Sequence, residues 1–292
     1  MSHKILDLLA GGKILVSDGA MGTELQKRGM PTGVCPEEFN VTHADVIKAI
    51  HADYYAAGSD IVETNSFGAN RIRLARHGFS ERVGELCRAA VAIALSVRPA
   101  GKFVGGSIGP TGELLEPFGD LPMASAYDAF VEQARALAAA GVDLFFVETM
   151  MSIDEAESAV RAAKDAAALP VIATMTFEAS EAGIHTMWGV DVPTAVERLS
   201  AAGADILGAN CGRGFDEMIE IMKVMRPLTT KPIIAQANAG LPENRGGISV
   251  YKETPDAMEP KAKQLLALGI NIIGGCCGTG PDHIRRLRQL VG

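Results

Sequence analysis

The sequence has few aromatic residues, no excess of positive charge and no long apolar run. Phe, Trp and Tyr make up 5% of the 292 residues, and Trp188 is the only tryptophan. No segment approaches the roughly 18 uninterrupted apolar residues of a membrane helix, and the N-terminus has no signal-peptide architecture. The net charge of −8 argues against nucleic-acid or anionic-membrane partners, since both require clustered Lys and Arg. We therefore expect a cytoplasmic protein with small-molecule or protein partners.

The signatures of zinc hydrolases, nucleobase deaminases and dinucleotide-binding enzymes are also missing. None of the six histidines lies in an HExxH or HxE pattern. The first predicted strand, at 13–18, is followed by DGAMGTELQ and not by GxGxxG. This argues against a doubly wound dinucleotide-binding sheet, which is the main alternative fold.

A theme of helix, glycine and strand recurs along the chain. Glycine just past an apolar-periodic segment is the expected helix C-cap, and the short apolar run after it is typical of a buried parallel strand. Hydrophobic residues make up 48% of the sequence, which is ample material for one large core. The four repeats are AAGSDIVETNS at 56–66, AAGVDLFFVETM at 139–150, AAGADILGANC at 201–211 and ALGINIIGGCC at 267–277.

Four further strands are predicted between these repeats, which brings the total to eight. Amphipathic segments such as 127–140 and 153–167 separate the strands and predict helices. Eight strand–helix units in a chain of this length predict an α/β protein with a single (β/α)8 TIM barrel over residues 1–292. The additional strands lie at 13–18, 102–108, 169–177 and 231–238.

Three of the five cysteines directly follow two of the related strands: Cys211, Cys276 and Cys277. Adjacent cysteines are poorly placed to form a disulfide with each other. Clustered cysteines in a reducing cytosol more often bind a metal ion, and thiolate ligands favour zinc over magnesium or calcium. Three protein ligands leave one position open, as in catalytic zinc sites. The alternative is small buried side chains, which is our interpretation of Cys35 and Cys87.

Two acidic residues lie at predicted strand ends, where barrels carry their active sites. Asp18 and Glu148 each end an apolar run, and burying them is costly without a cation or backbone donors. The ammonium group of an amino acid would be a suitable partner, and helix capping is the alternative for Asp18. Glu63 is not assigned to the site, because the direction of its side chain depends on a strand register that the sequence does not fix.

Three thiolates around zinc favour sulfur chemistry over hydrolysis. Their negative charge weakens the Lewis acidity of the metal but preserves the nucleophilicity of a fourth, exogenous thiolate. A free thiol has a pKa of about 8.5, and coordination deprotonates it outright. The predicted reaction is therefore alkyl transfer to a substrate sulfur.

Six motifs in order along nearly the whole chain resemble the homocysteine S-methyltransferase family, above all the homocysteine-binding barrel of cobalamin-dependent methionine synthase. The resemblance implies that Cys211, Cys276 and Cys277 ligate zinc. It also implies that Asp18, Gly19 and Glu148 hold the amino and carboxylate ends of homocysteine, and that Asn238 lies beside the metal. The motifs are DGAMGTELQ at 18–26, ETNSFGANRIRLARHG at 63–78, GSIGPTGELLEP at 106–117, GANC at 208–211, NAG at 238–240 and GGCCGTGPDHIR at 274–285.

The methyl donor is the open part of this prediction. The sequence has no Asp-x-His-x-x-Gly corrinoid pattern, and the short segment after Cys277 leaves no room for folate or cobalamin domains. We therefore expect methylcobalamin, or another methylated corrinoid, on a separate protein, as in a split methionine synthase or a demethylation system. The alternatives are a free-standing methyltransferase that uses betaine or S-methylmethionine, and a non-catalytic zinc-thiolate subunit that binds homocysteine. Trp188 is interpreted either as a donor contact or as a lid residue.

Overall fold

The structure is a computed structural model that describes residues 4–181, 183–245 and 248–292. Eight parallel strands form a barrel in which the first strand of the chain pairs with the last and the others pair with their neighbours in sequence, and a parallel bridge from Ser17 to Ile61 joins the first strand to the second. All eight predicted strands and the predicted (β/α)8 fold are confirmed. The strands are β1 Leu15–Val16, β2 Ile61–Glu63, β3 Phe103–Ile108, β4 Leu144–Met150, β5 Val171–Met175, β6 Ile206–Cys211, β7 Ile233–Ala237 and β8 Ile272–Gly275.

Helices cover the outside of the barrel and pack their apolar faces against it. Gly58, Gly141 and Gly203 follow three of the helices in the left-handed conformation, which confirms the predicted glycine caps. The helices are α1 Lys4–Ala10, α2 Met21–Lys27, α3 Phe39–Thr42, α4 Ala44–Ala57, α5 Arg71–Ala75, α6 Val83–Ser96, α7 Met123–Ala140, α8 Ile153–Ala166, α9 Val192–Ala202, α10 Phe215–Met225, α11 Pro255–Ala267 and α12 Pro281–Val291. None of these described helices is long and apolar enough to cross a membrane.

Two short antiparallel hairpins extend beyond the strand ends and were not predicted. The first pairs Glu178–Ser180 with Gly183–His185 after β5. The second pairs Glu243–Arg245 with Ile248–Val250 after β7. Both belong to the loops at the C-terminal end of the barrel, which is the end that carries active sites in this fold.

The barrel interior is apolar at one end and polar at the other, because side chains alternate along each strand. Large apolar side chains fill the N-terminal half, and Ile5 and Leu9 of α1 pack against them. Two residues further along their strands, the next inward positions include Ser17, Glu63 and Gln236. The inner apolar layer consists of Leu15, Ile61, Phe103, Leu144, Phe146, Ile172, Ile206, Ile234 and Ile272.

A buried carboxylate secures the seam between β1 and β2. Asp60 accepts hydrogen bonds from the Val16 amide at 3.0 Å and from Lys102 Nζ at 2.7 Å, and it also pairs with Arg288. Burial raises the pKa of Asp60, but these hydrogen bonds and charges outweigh it and lower the pKa overall. Asp60 thereby ties β1 to the start of β3 and to α12.

Candidate active site

The structure brings together the three cysteines that the sequence singles out. The Sγ atoms of Cys211, Cys276 and Cys277 all lie within 4.8 Å of one another, so these residues could hold a metal ion. Cys211 ends β6 with a φ of 66°, a left-handed conformation that is uncommon for residues other than glycine. Strand alternation alone would point Asn210 and Cys211 to opposite faces. The left-handed turn brings the Cys211 thiol back toward Cys276 and Cys277.

Amide and hydroxyl groups surround the three sulfurs. Asn238 Nδ2 lies 3.4 Å from Cys211 Sγ and donates to the Gly212 carbonyl at 2.6 Å, whereas its Oδ1 is buried without a partner. The Tyr251 hydroxyl hydrogen-bonds to Cys277. Burial is the main reason why the pKa of Tyr251 is raised, so Tyr251 stays a hydrogen-bond donor at neutral pH.

The three thiols differ in protonation. Hydrogen bonds from Cys276 and Cys277 lower the pKa of Cys211 to about 3. Because these two thiols donate to Cys211, the pKa of Cys277 is raised to about 11 and that of Cys276 is raised as well. Without a metal, the cluster therefore holds one thiolate and two thiols at neutral pH.

Three carboxyl groups form the second part of the site. Asp18 Oδ2 accepts from the Glu63 amide at 2.9 Å, and the carboxyl groups of Glu63 and Glu148 hydrogen-bond to each other. Burial is the largest cause of a raised pKa at all three residues, and the Glu148 charge raises the pKa of Asp18 and Glu63 further. Among the described residues no lysine or arginine forms an ion pair with them. This end of the barrel therefore favours a cationic ligand.

A break in strand pairing places Glu148. The register between β4 and β5 shifts between Val147 and Met150, and Thr149 has a φ of 60°. Asn210 Oδ1 accepts from the Thr149 amide at 2.8 Å and so holds the irregular backbone. Bulges of this kind redirect side chains next to active sites. Here the bulge leaves Glu148 in contact with Ser107, which donates to it at 2.5 Å.

One cavity of about 480 Å³ connects the cysteines and the carboxyl groups. Its wall also includes Phe67 and Arg73, whose guanidinium carbon lies 5.0 Å from the Phe67 ring centroid. Gly19 forms part of the wall where the backbone approaches closely, because a Cβ there would lie 2.7 Å from the Thr279 carbonyl oxygen. The cavity is in the size range of small-molecule sites.

The predicted site residues meet in this one place. Asp18, Gly19, Glu148 and the three cysteines line the cavity, and Asn238 contacts Cys211. Trp188 does not line it and is 51% exposed just beyond the first hairpin. Cys87 is buried in α6, as the small-side-chain interpretation expects, whereas Cys35 is buried but also lines the cavity.

Several residues of the site were not predicted: Glu63, Asn210, Gln236 and Tyr251. For Glu63 the signal was present, since Ile61 is a large apolar residue two positions earlier and an inward Ile61 puts Glu63 on the same side. By the same argument, the inward position of Ile234 puts the Gln236 side chain inside the barrel. Tyr251 follows the second hairpin, and no periodicity marks it.

The fold and the site together define a barrel enzyme in which a cluster of three cysteines that could hold a metal ion lies beside three buried carboxyl groups. The model of the homocysteine S-methyltransferase family matches residues 15–291, and the chain belongs to this family. Membership confirms the predicted family resemblance and supports the predicted methyltransferase class.

Two curated relatives are methionine synthases. The chain is 33% identical to that of Mycobacterium tuberculosis and 32% identical to that of Mycobacterium leprae, over 98% of its own length and 25% of theirs. It therefore spans about a quarter of the length of these relatives.

Solved structures of the homocysteine methyltransferase MmuM from Escherichia coli have the same fold. The oxidized form superimposes with a TM-score of 0.83 at 25% identity, covering 99% of this chain and 100% of that chain. The metallated form gives a TM-score of 0.81 at 24% identity, with 97% and 98% covered.

Proposed function

We propose that this barrel, residues 1–292, binds homocysteine and transfers a methyl group to its thiol, giving methionine. One observation carries the proposal: three cysteine sulfurs within 4.8 Å of one another share a cavity with three buried carboxyl groups. The sulfurs suit a thiol-activating metal, and the carboxyl groups suit the ammonium group of an amino acid. The reduced thiols that this site requires agree with the cytoplasmic location expected from the sequence.

The residues fit zinc as the metal. Three thiolates are soft ligands that select zinc over magnesium or calcium, and Asn238 Oδ1 is a buried acceptor without a partner beside Cys211. Cys211, Cys276 and Cys277 would hold the ion. Zinc would supply a low thiol pKa, so that the substrate sulfur is a thiolate at neutral pH.

The protein's own contribution is binding and orientation. Asp18 and Glu148 would hold the substrate ammonium group, and the loop at Gly19 would receive the carboxylate end. Ser107 and the bulge at Thr149 keep Glu148 in place. Because in-line displacement needs no proton transfer from the protein, positioning of the sulfur toward the methyl group lowers the barrier.

We propose a methylated corrinoid on a separate protein as the donor. The mycobacterial relatives, which are methionine synthases, support a role in methionine formation, and in them the matched region is a quarter of the chain. The alternative is a small onium donor such as S-methylmethionine or betaine. It is favoured by the match with E. coli MmuM, a homocysteine methyltransferase whose whole chain is covered by this one.

The test is methionine formation by zinc-loaded protein with homocysteine and, separately, free methylcobalamin, S-methylmethionine or betaine. Turnover with methylcobalamin alone would support a corrinoid partner, and turnover with an onium donor would establish a free-standing enzyme. We expect Cys276→Ala to lose tight zinc binding and activity together, by about 100-fold or more, since a ligand is removed. Cys276→Ala protein that keeps both would contradict the proposed metal site. Zinc-dependent homocysteine binding without any turnover would indicate the non-catalytic subunit.

A further inference from the structure

Gln236, which hydrogen-bonds to Glu63, has a buried acceptor atom without a partner. Gln236 Nε2 donates to Glu63 Oε1 at 2.5 Å and to Ser17 Oγ at 3.2 Å. Its other amide atom, Oε1, is buried and has no partner, although Gln236 is only 3% exposed. A buried acceptor left without a donor is costly, so Gln236 Oε1 points to a donor that the ligand brings.

The contact between Glu63 and Glu148 leads to the same conclusion. Two carboxyl groups can hydrogen-bond to each other only when one of them carries a proton, since ionised carboxylates have no donor. An ammonium group can satisfy both of them, because it has three donors and a positive charge. Asp18 lies next to this pair through the Glu63 amide.

We propose that Glu63 and Gln236 form, with Asp18 and Glu148, the subsite that recognises the ammonium group of the substrate. Gln236 Oε1 and the carboxyl oxygens accept its three hydrogens, and the positive charge of the ammonium group offsets a carboxylate charge on Glu63. The subsite makes the enzyme select amino-acid thiols over thiols that lack the amino group. This inference rests on the proposed function.

The test compares homocysteine with 4-mercaptobutanoate, which keeps the thiol and the carboxylate but lacks the amino group. Cobalt(II) replaces zinc in the protein, and the thiolate-to-cobalt absorption band reports binding of either ligand without turnover. We expect wild-type protein to bind homocysteine at least about 100-fold more tightly, as suits several hydrogen bonds to a charged group.

Glu63→Gln should reduce this preference by about tenfold or more, with the affinity for 4-mercaptobutanoate unchanged within about threefold. Gln236→Met, which removes the acceptor without a partner, should also reduce the preference for homocysteine. If Glu63→Gln does not fold, Gln236→Met tests the subsite instead. Glu37→Gln is the matched control. Glu37 is another buried carboxyl group on the cavity wall, but the Gly68 amide and the Cys35 thiol already occupy its oxygens.

The proposed subsite would be overturned if folded Glu63→Gln kept the full preference for homocysteine. It would also be overturned if this variant lost affinity for both ligands equally. Equal binding of both ligands by wild-type protein would also overturn it while leaving thiol methylation intact. Failure of wild-type protein to bind cobalt or either thiol would instead count against the proposed function.

Discussion

Cys211 receives hydrogen bonds from both of the other cysteines, and this asymmetry has a measurable consequence. The pKa of Cys211 is lowered to about 3, whereas that of Cys277 is raised to about 11 and that of Cys276 is raised too. The metal-free protein therefore carries two cluster protons across the neutral range. A metal that binds three thiolates must displace both of them.

We predict that metal binding tightens steeply as the pH rises. Because the metal-free state binds two more protons than the metal-bound state, the logarithm of the association constant for zinc should rise by about two per pH unit between about pH 6 and 8. Competition with a chromophoric chelator of known pH dependence measures this slope.

Cys87→Ala provides the control for this slope, since burial raises the pKa of Cys87 to about 12 and its thiol stays neutral throughout. The variant should show the wild-type slope. A slope near three would mean that Cys211 is also a thiol without metal, and a slope near zero would show that thiols are not the ligands.

Strand alternation explains both what the sequence predicted and what it missed. The eight strands and the glycine caps follow from short apolar runs after helical segments, which are local features. The inward orientation of the Glu63 side chain follows from Ile61, a large apolar residue two positions earlier that packs inside the barrel. The bulge at Thr149 is held by a contact with the distant residue Asn210, and no local pattern marks the left-handed conformation of Cys211.

Loops were predicted less well than strands. The two hairpins after β5 and β7 consist of three-residue strands, too short for a periodic pattern to show. Tyr251 reaches Cys277 only because the chain returns after the second hairpin, and its ring packs where a Cβ on Gly278 would otherwise lie. Such contacts depend on the path of a loop, which local sequence does not encode.

Gly208 of the GANC motif has a steric role in the pairing of β6 with β7. A Cβ at this position would lie 2.2 Å from the Ile234 carbonyl oxygen and 2.4 Å from Ile234 Cγ2. We predict that Gly208→Ala lowers the free energy of unfolding by about 1 to 3 kcal/mol, as overpacking in a rigid core does. Chemical denaturation followed by circular dichroism measures the change.

Gly22→Ala tests whether this loss is steric. Gly22 lies in α2, and a Cβ added there would have no neighbouring atom within 4 Å. Alanine should therefore be neutral or raise the free energy of unfolding by up to about 1 kcal/mol through helix propensity. Equal losses in the two variants would show that the Ile234 contact is not the cause.

Three exposed apolar side chains lie in loops that follow barrel strands, at the end of the barrel that carries the cavity. Phe118 is 83% exposed after β3, and Trp188 is 51% exposed beyond the hairpin that follows β5. Leu241, after β7, belongs to the same end. Exposed apolar groups are typical of protein interaction surfaces, and we refer to Phe118, Trp188 and Leu241 as the rim residues. If a separate corrinoid protein delivers the methyl group, it must dock here, because the cavity opens at this end of the barrel.

We predict that the double variant Phe118→Ala, Trp188→Ala raises the KM for a methylated corrinoid protein by about tenfold or more, since exposed aromatic anchors carry much of the binding energy of interfaces. Turnover with free methylcobalamin should stay within about twofold, because neither residue belongs to the cavity wall and methyl transfer itself is unchanged. Initial rates at varied donor concentration measure both quantities.

Leu228→Ala is the matched control at the other end of the barrel. Leu228 is 44% exposed in the short 3₁₀ helix that leads into β7, so it is also apolar and exposed but lies away from the strand ends that carry the cysteines. Its KM for the corrinoid protein should equal that of the wild type. An unchanged KM in the double variant would show that the rim residues are not the docking surface. A loss of turnover with free methylcobalamin as well would show that these residues shape the cavity instead.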